Sequence, residues 1–460
     1  MGYGTKFTTP YGKKKLIYAD WAASGRLYAP IERKLTDEFG PFIGNTHTAA
    51  TVTGTTMTAA YSAAKEIIKH HVNAGRDDII IPAGSGMTGA VLKLQRLLGL
   101  KIPEPWRAQL RIPGRLRPVV FVTHMEHHSN HTTWLETIAD VEVIRPDEKG
   151  LVNAGHLETL FRKYHRRRMK IAAVTAGSNV TGILTPYHTF ARIAHEHGGL
   201  CFVDFAAAAP YVSINMHPKD KVEKLDAIYF SPHKFLGGPG SVGILIFDSR
   251  LYDLAVPDQP GGGTIRWTNP WAGRRYFEEI ELREDGGTPP FLQTIKAGLA
   301  IRLKEEMSVR NLLAREQEFV RLLFKELGEV EGLVILAANV KKRLGIVSFT
   351  INNLHYNLGV KILNDRFGIQ ARGGCVCAGT YGHYLFHISR RHSRGITDRI
   401  DRGDLSTKPG FIRISVHPVM TKREVKYICR AVKALAVRHR VWSKDYIYNP
   451  HTNEFRHQLA

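Results

Sequence analysis

Cysteine is scarce in this chain. Four occur among 460 residues: Cys201, Cys375, Cys377 and Cys429. A disulfide scaffold is excluded as a source of stability, and a reducing cytoplasm is the default expectation. Long apolar runs are missing too. None approaches the ~18 residues of a membrane span, and Met1-Gly2-Tyr3-Gly4-Thr5-Lys6 lacks the apolar core of a secretory signal. No membrane association is expected. Acidic residues are in deficit, 42 against 64 Lys and Arg, for a net charge of +22. That imbalance favours anionic partners such as nucleic acid, acidic proteins or phosphorylated ligands. The basic residues are densest at 162–168, 341–343 and 390–394, where solvated helix ends and loops explain them as well. Zinc-finger and RNP-type motifs are absent, so nucleic-acid binding through the basic surface is at most an accessory.

What is present is a core-forming composition, 43% hydrophobic. Its length suits two or three domain-sized units. Short apolar runs at 78–82, 118–123, 171–175, 200–204 and 228–231 alternate with helical patterns at 87–98, 154–164 and 187–197. Strands apolar almost throughout, separated by helices, predict a mostly parallel sheet covered on both faces. Ligands collect beyond the C-terminal ends of such strands. The stretch 251–290 is rich in Gly, Pro and Trp and reads as a long ordered loop before a helix near 291–307. A helix near 312–327, strands near 333–337 and 345–351, and a final helix at 422–437 predict a smaller α+β domain. The expected division is a 1–40 segment joined to the small domain, a large α/β domain over 41–300, a small domain over 301–440, and a polar tail over 441–460.

The chemistry concentrates at strand ends. Lys234 lies on Ser231-Pro232-His233-Lys234-Phe235-Leu236-Gly237-Gly238 between two apolar runs, and Asp204 closes the run 199–204. An aldehyde cofactor held as a Schiff base needs one lysine, and its pyridinium nitrogen needs one carboxylate. That combination points to pyridoxal 5'-phosphate (PLP). A surface lysine and a turn aspartate are the plainer readings of each residue alone; the pair is more specific. Gly84-Ser85-Gly86-Met87-Thr88-Gly89 follows a strand and opens a helix, a place for a phosphate. It lacks the lysine of a P-loop. Ser231 and His233 can add donors. His127, in Glu126-His127-His128-Ser129-Asn130, can stack on a cofactor ring, or simply start a helix. Asn179 can donate to a phenolic oxygen, or sit in a plain turn.

Arg372-Gly373-Gly374-Cys375-Val376-Cys377-Ala378-Gly379 is the second informative segment. Arginine clamps carboxylates bidentately, and a thiol on a glycine-flanked loop is a candidate nucleophile. A mixed zinc site with His383 and His387 competes weakly, since four ligands are needed. No metal is expected.

Together these residues resemble the class V aminotransferase-like PLP enzymes, closest to the cysteine desulfurase and selenocysteine lyase branch. The resemblance runs from Tyr18-Ala19-Asp20-Trp21 to Phe411-Ile412-Arg413-Ile414-Ser415. It implies a type I PLP-dependent transferase fold. It also implies a Schiff-base role for Lys234, a pyridinium partner in Asp204 and a ring-stacking role for His127. Asn179 becomes a cofactor and substrate contact, and Met87, Thr88, Ser231 and His233 become phosphate ligands. Thr288 matches a residue that reaches a partner subunit's phosphate, so a homodimer is implied. Arg372 matches the substrate-carboxylate arginine, and Cys377 the persulfide-forming cysteine. The implied reaction removes sulfur from L-cysteine, leaving alanine and a persulfide for an acceptor protein, with Cys375 as a relay. Two departures keep another class V reaction on a small amino acid open, whether transamination, β-elimination or epimerisation. Alanine follows Asp204-Phe205 where desulfurases usually carry glutamine, and 378–407 looks like an insertion.

Overall fold

The computed structural model describes residues 4–107 and 109–459. The chain forms two compact units. The larger comprises 24–176 and 185–309. Its sheet has seven strands in the order Asp78–Pro82, Ile244–Asp248, Ala227–Phe230, Leu200–Asp204, Lys170–Thr175, Val119–Thr123, Asp140–Ile144. Only Ile244–Asp248 runs against its neighbours; the other pairings, from Ala227–Phe230 through to Asp140–Ile144, are parallel. The apolar runs are buried on both faces for this reason. Val119–Thr123, Lys170–Thr175 and Ala227–Phe230 are buried at every position. The crossover helices Met87–Leu97, Ala154–Lys163 and Tyr187–Glu196 fall within a residue of their sequence patterns.

The smaller unit comprises 1–23, 177–184 and 310–460. Its antiparallel sheet has the order Leu333–Ile335, Ile346–Ile351, Phe411–Ser415, Arg372–Gly374. The helices Tyr356–Phe367 and Lys422–Trp442 accompany it, the latter closed by a Thr421–Glu424 capping box. The segment 378–407 contains two helices, Gly379–Leu385 and Arg390–Asp401. The stretch read as a polar tail instead forms a hairpin, Tyr446–Asn449 with Glu454–His457. Cross-strand aromatics account for it: Tyr448 packs on Phe455 with ring centroids 4.6 Å apart.

Candidate active site

In the larger unit the predicted residues gather at the C-terminal strand ends. Asp204 ends the Leu200–Asp204 strand and is 3% exposed. Burial pushes its carboxyl up to about 6, opposed by the Ala206 N–H and the nearby Lys234 charge. A buried carboxylate in this condition lacks enough compensating cation. Lys234 ends a short 3₁₀ turn, Pro232–Lys234, and is half-buried.

The glycine turn and the lysine turn meet. Met87 N donates to Ser231 Oγ at 2.8 Å, and His233 Nδ1 lies 3.1 Å from Ser85 O. A Cβ on Gly86 would stand 2.9 Å from His233 Cε1, so glycine is required by space there. The helix Met87–Leu97 begins at Gly86 with no side-chain cap. Thr88 Oγ1 and Ser129 Oγ lie 2.7 Å apart. Hydroxyls, a helix N-terminus and a lysine beside a buried carboxylate make a donor set that fits PLP: Met87, Thr88, Ser231 and His233 could hold its phosphate, and Asp204 its ring nitrogen.

His127 is the N-cap of the helix His128–Leu135, and its Nδ1 accepts from Ser129 N. An accepting Nδ1 leaves the neutral ring's proton on Nε2. The preceding residue, Glu126, went unnoticed in the sequence. It is 1% exposed and accepts from Thr123 N, Thr123 Oγ1, Thr175 N and Asn130 Nδ2. Burial pushes it up to about 8 against those donors. It ties two strand ends and one helix into the floor that carries His127. Thr288 is exposed on the turn before the helix Phe291–Glu306, and no hydrogen bond joins it to the cradle among the described residues.

In the smaller unit, Asn179, Arg372 and Cys377 come together with two residues the sequence reading passed over. Asp20 accepts from Arg372 Nε at 2.8 Å and from Arg413 Nη2 at 2.6 Å. Arg413 is 2% exposed, and its Nη1 donates to Asn179 O. Burial pulls the guanidinium below its ordinary value; Asp20 and Cys377 pull it back up, and the Arg372 charge opposes them. Arg372 is half-exposed, with no further partner for its terminal nitrogens among the described residues. A charged residue inside the buried strand Phe411–Ser415 was the available signal for Arg413.

Cys377 is exposed and Cys375 is half-buried. Val376 and Cys377 both have positive φ, 42° and 59°. Left-handed backbone is strained for any side chain and most for a β-branched one. Asn179 Nδ2 donates to Val376 O at 2.7 Å, while its Oδ1 is buried without a partner among the described residues. Behind the loop, Tyr356 is the firm surface: a Cβ on Gly410 would strike its ring at 2.5 Å. The Tyr356 hydroxyl takes a hydrogen bond from Asn453 Nδ2, between the two strands of the C-terminal hairpin. His383 is used internally, Nδ1 on Gly379 O and Nε2 on Ser393 Oγ.

A model of the class-V aminotransferases matches residues 17–428. The chain belongs to that family. Its members are PLP-dependent enzymes, and the fold is the type I arrangement. A probable cysteine desulfurase of Halalkalibacterium halodurans is 29% identical over 369 residues, 79% of this chain and 84% of that protein. A cysteine desulfurase of Haloferax volcanii is 26% identical over 413 residues, 86% and 89%. Among solved structures, a cysteine desulfurase from Thermococcus onnurineus superposes with a TM-score of 0.74 at 22% identity, covering 92% of this chain and 95% of that one. Another from Escherichia coli gives 0.72 at 21%, covering 92% and 94%.

Proposed function

We propose that this family member is a cysteine desulfurase. The observation that carries the reading is an exposed thiol, Cys377, on a strained loop that begins at Arg372, a half-exposed arginine bonded through Nε to Asp20. PLP, when bound, supplies the aldehyde and the electron sink that make the substrate Cα proton removable. Asp204 would hold the ring nitrogen, the Ser231–Met87 turn would hold the phosphate, and His127 would lie against the ring. Arg372 binds the substrate carboxylate, and Asn179 orients it. Lys234 takes the Cα proton and returns a proton to the carbon skeleton. The Cys377 thiolate attacks the substrate sulfur. A new S–S bond forms as the substrate Cβ–S bond breaks, with the electron pair left on carbon. Protonation of that carbon gives alanine, and the sulfur stays on Cys377 as a persulfide.

The persulfide passes to an acceptor protein, with Cys375 as a relay. The enzyme works as a cytoplasmic homodimer in this reading, with Thr288 reaching the partner subunit. The test is product analysis with L-cysteine. Equal yields of alanine and transferable sulfur are expected, both lost in Cys377→Ala. Pyruvate or a racemised amino acid in place of alanine would assign another class V reaction.

A further inference from the structure

The larger unit has a second pole. Val119–Thr123, Asp140–Ile144 and Lys170–Thr175 run in parallel and end at the cofactor cradle; they begin at the opposite edge of the sheet. Two basic segments converge on that starting edge. Residues 101–117 contain five Lys and Arg and one carboxylate, Glu104; residues 162–170 contain six and none. The first segment is pinned to the short stretch 136–140 at both ends. Lys101 Nζ donates to Glu136 O, and Arg107 pairs with the Glu136 carboxylate at 2.7 Å. Arg117 and Arg167 share Asp140. Arg168 N donates to Arg115 O, which joins the second segment to the first.

The carboxylates here are already engaged. Glu136, Asp140, Glu142 and Glu158 each hold an arginine or lysine. Arg111, Arg115, Arg166 and Arg168 are exposed and make no ion pair among the described residues. Beside them stand large apolar side chains facing water. Trp106 is 63% exposed, and Leu110, Leu116 and Leu135 are close to half exposed. Trp106 adjoins Arg107, and Leu135 adjoins Glu136, so the apolar groups sit at the same anchor points. Leu110 N donates to Arg107 O at 3.3 Å, which ties Leu110 to the same anchor point.

Apolar side chains clustered with unpaired cations mark a docking surface. A second copy of this chain would bring the same positive charge to it. Nucleic acid would satisfy the arginines but leave the three leucines without a role, because bases stack on aromatic rings; Trp106 is exposed, whereas the Tyr164 ring is already covered by Lys163 and Arg167. An anionic bilayer satisfies both sets. Arginines meet headgroup phosphates, tryptophan lies at headgroup level, and leucines enter the acyl boundary. We propose that this pole docks the protein on an anionic phospholipid surface, with the cradle edge of the sheet turned away from the lipid.

The test uses the full chain loaded with PLP and vesicles of phosphatidylcholine with or without phosphatidylglycerol. Co-sedimentation is expected with the anionic vesicles alone, falling as salt rises. Arg111→Glu with Arg115→Glu and Arg168→Glu should weaken it by about 100-fold or more. Trp106→Ser with Leu110→Ser and Leu116→Ser should weaken it about tenfold or more, with amino-acid turnover unchanged in both variants. Absence of binding to anionic vesicles at low salt overturns the proposal. So does binding that the apolar variant retains in full. Preference for a labelled single-stranded oligonucleotide over the vesicles would give the pole to nucleic acid instead.

Discussion

The side-chain amide of Asn179 donates 2.7 Å to the carbonyl of Val376, the residue before the Cys377 thiol. Val376 is held there with φ at 42°. A hydrogen bond and a backbone strain of roughly 1–3 kcal/mol therefore act on the same peptide. Asn179→Ala should loosen the loop. Iodoacetamide should then alkylate Cys377 about fivefold faster, the worth of a ~1 kcal/mol hydrogen bond, with an unchanged melting temperature as the control against global loosening. Unchanged Cys377 kinetics would remove the restraint from Asn179.

The two arginines on Asp20 should behave differently. Arg372 is half-exposed, and its ion pair is worth at most about 1 kcal/mol of stability. Arg372→Ala should therefore melt near the parent while raising KM for the amino acid by roughly 10- to 100-fold, the loss of charge-assisted hydrogen bonds. Arg413 is buried, and its removal leaves Asp20 only the half-exposed Arg372 and takes the donor from Asn179 O. Arg413→Ala should lower stability by about 3 kcal/mol or more, read by urea denaturation.

Asp204 gives a pH signature to the cofactor-free protein. Its carboxyl is raised by burial to about 6, above an unfolded value of ~3.9. Between those values the folded state binds more protons than the unfolded one, so stability falls as pH rises. Asp204→Asn abolishes this loss. The variant should gain on the parent between pH 4 and 6 and hold a lead of order 3 kcal/mol above pH 6. PLP binding should show the opposite ranking. A pH-independent difference in the apoproteins would mean that Asp204 ionises there without penalty.

Lys234→Ala should lose the visible absorbance of bound PLP without losing the fold, since its side chain is half-buried at a turn. Retention of the band would place the cofactor's anchor elsewhere.

The large sheet was legible because its strands are continuous apolar runs with helices between them, and parallel pairing demands both. The strand-end positions of Asp204, Lys234 and the glycine turn were legible because each sits beside such a run. Asp20 was not. Its partner Arg413 is 393 positions away in sequence, and nothing local distinguishes its carboxylate from a turn aspartate. Glu126 was hidden for the same reason, since its donors come from Thr123, Asn130 and Thr175. The final hairpin was missed because Tyr446–Asn449 and Glu454–His457 are short and mixed in polarity, and they become a sheet only by pairing.

That hairpin has a temporal consequence. Asn453 braces Tyr356, and Tyr356 backs the glycines on which the thiol loop rests. Asp445 and His457 meanwhile bond Tyr11, near the other end of the chain. A ribosome must therefore pass residue 457 before the 375–377 loop has its full support. The strands of the large sheet are complete some 200 residues earlier, after Asp248. The nascent protein can thus assemble its large sheet well before the loop that carries Cys377 is braced.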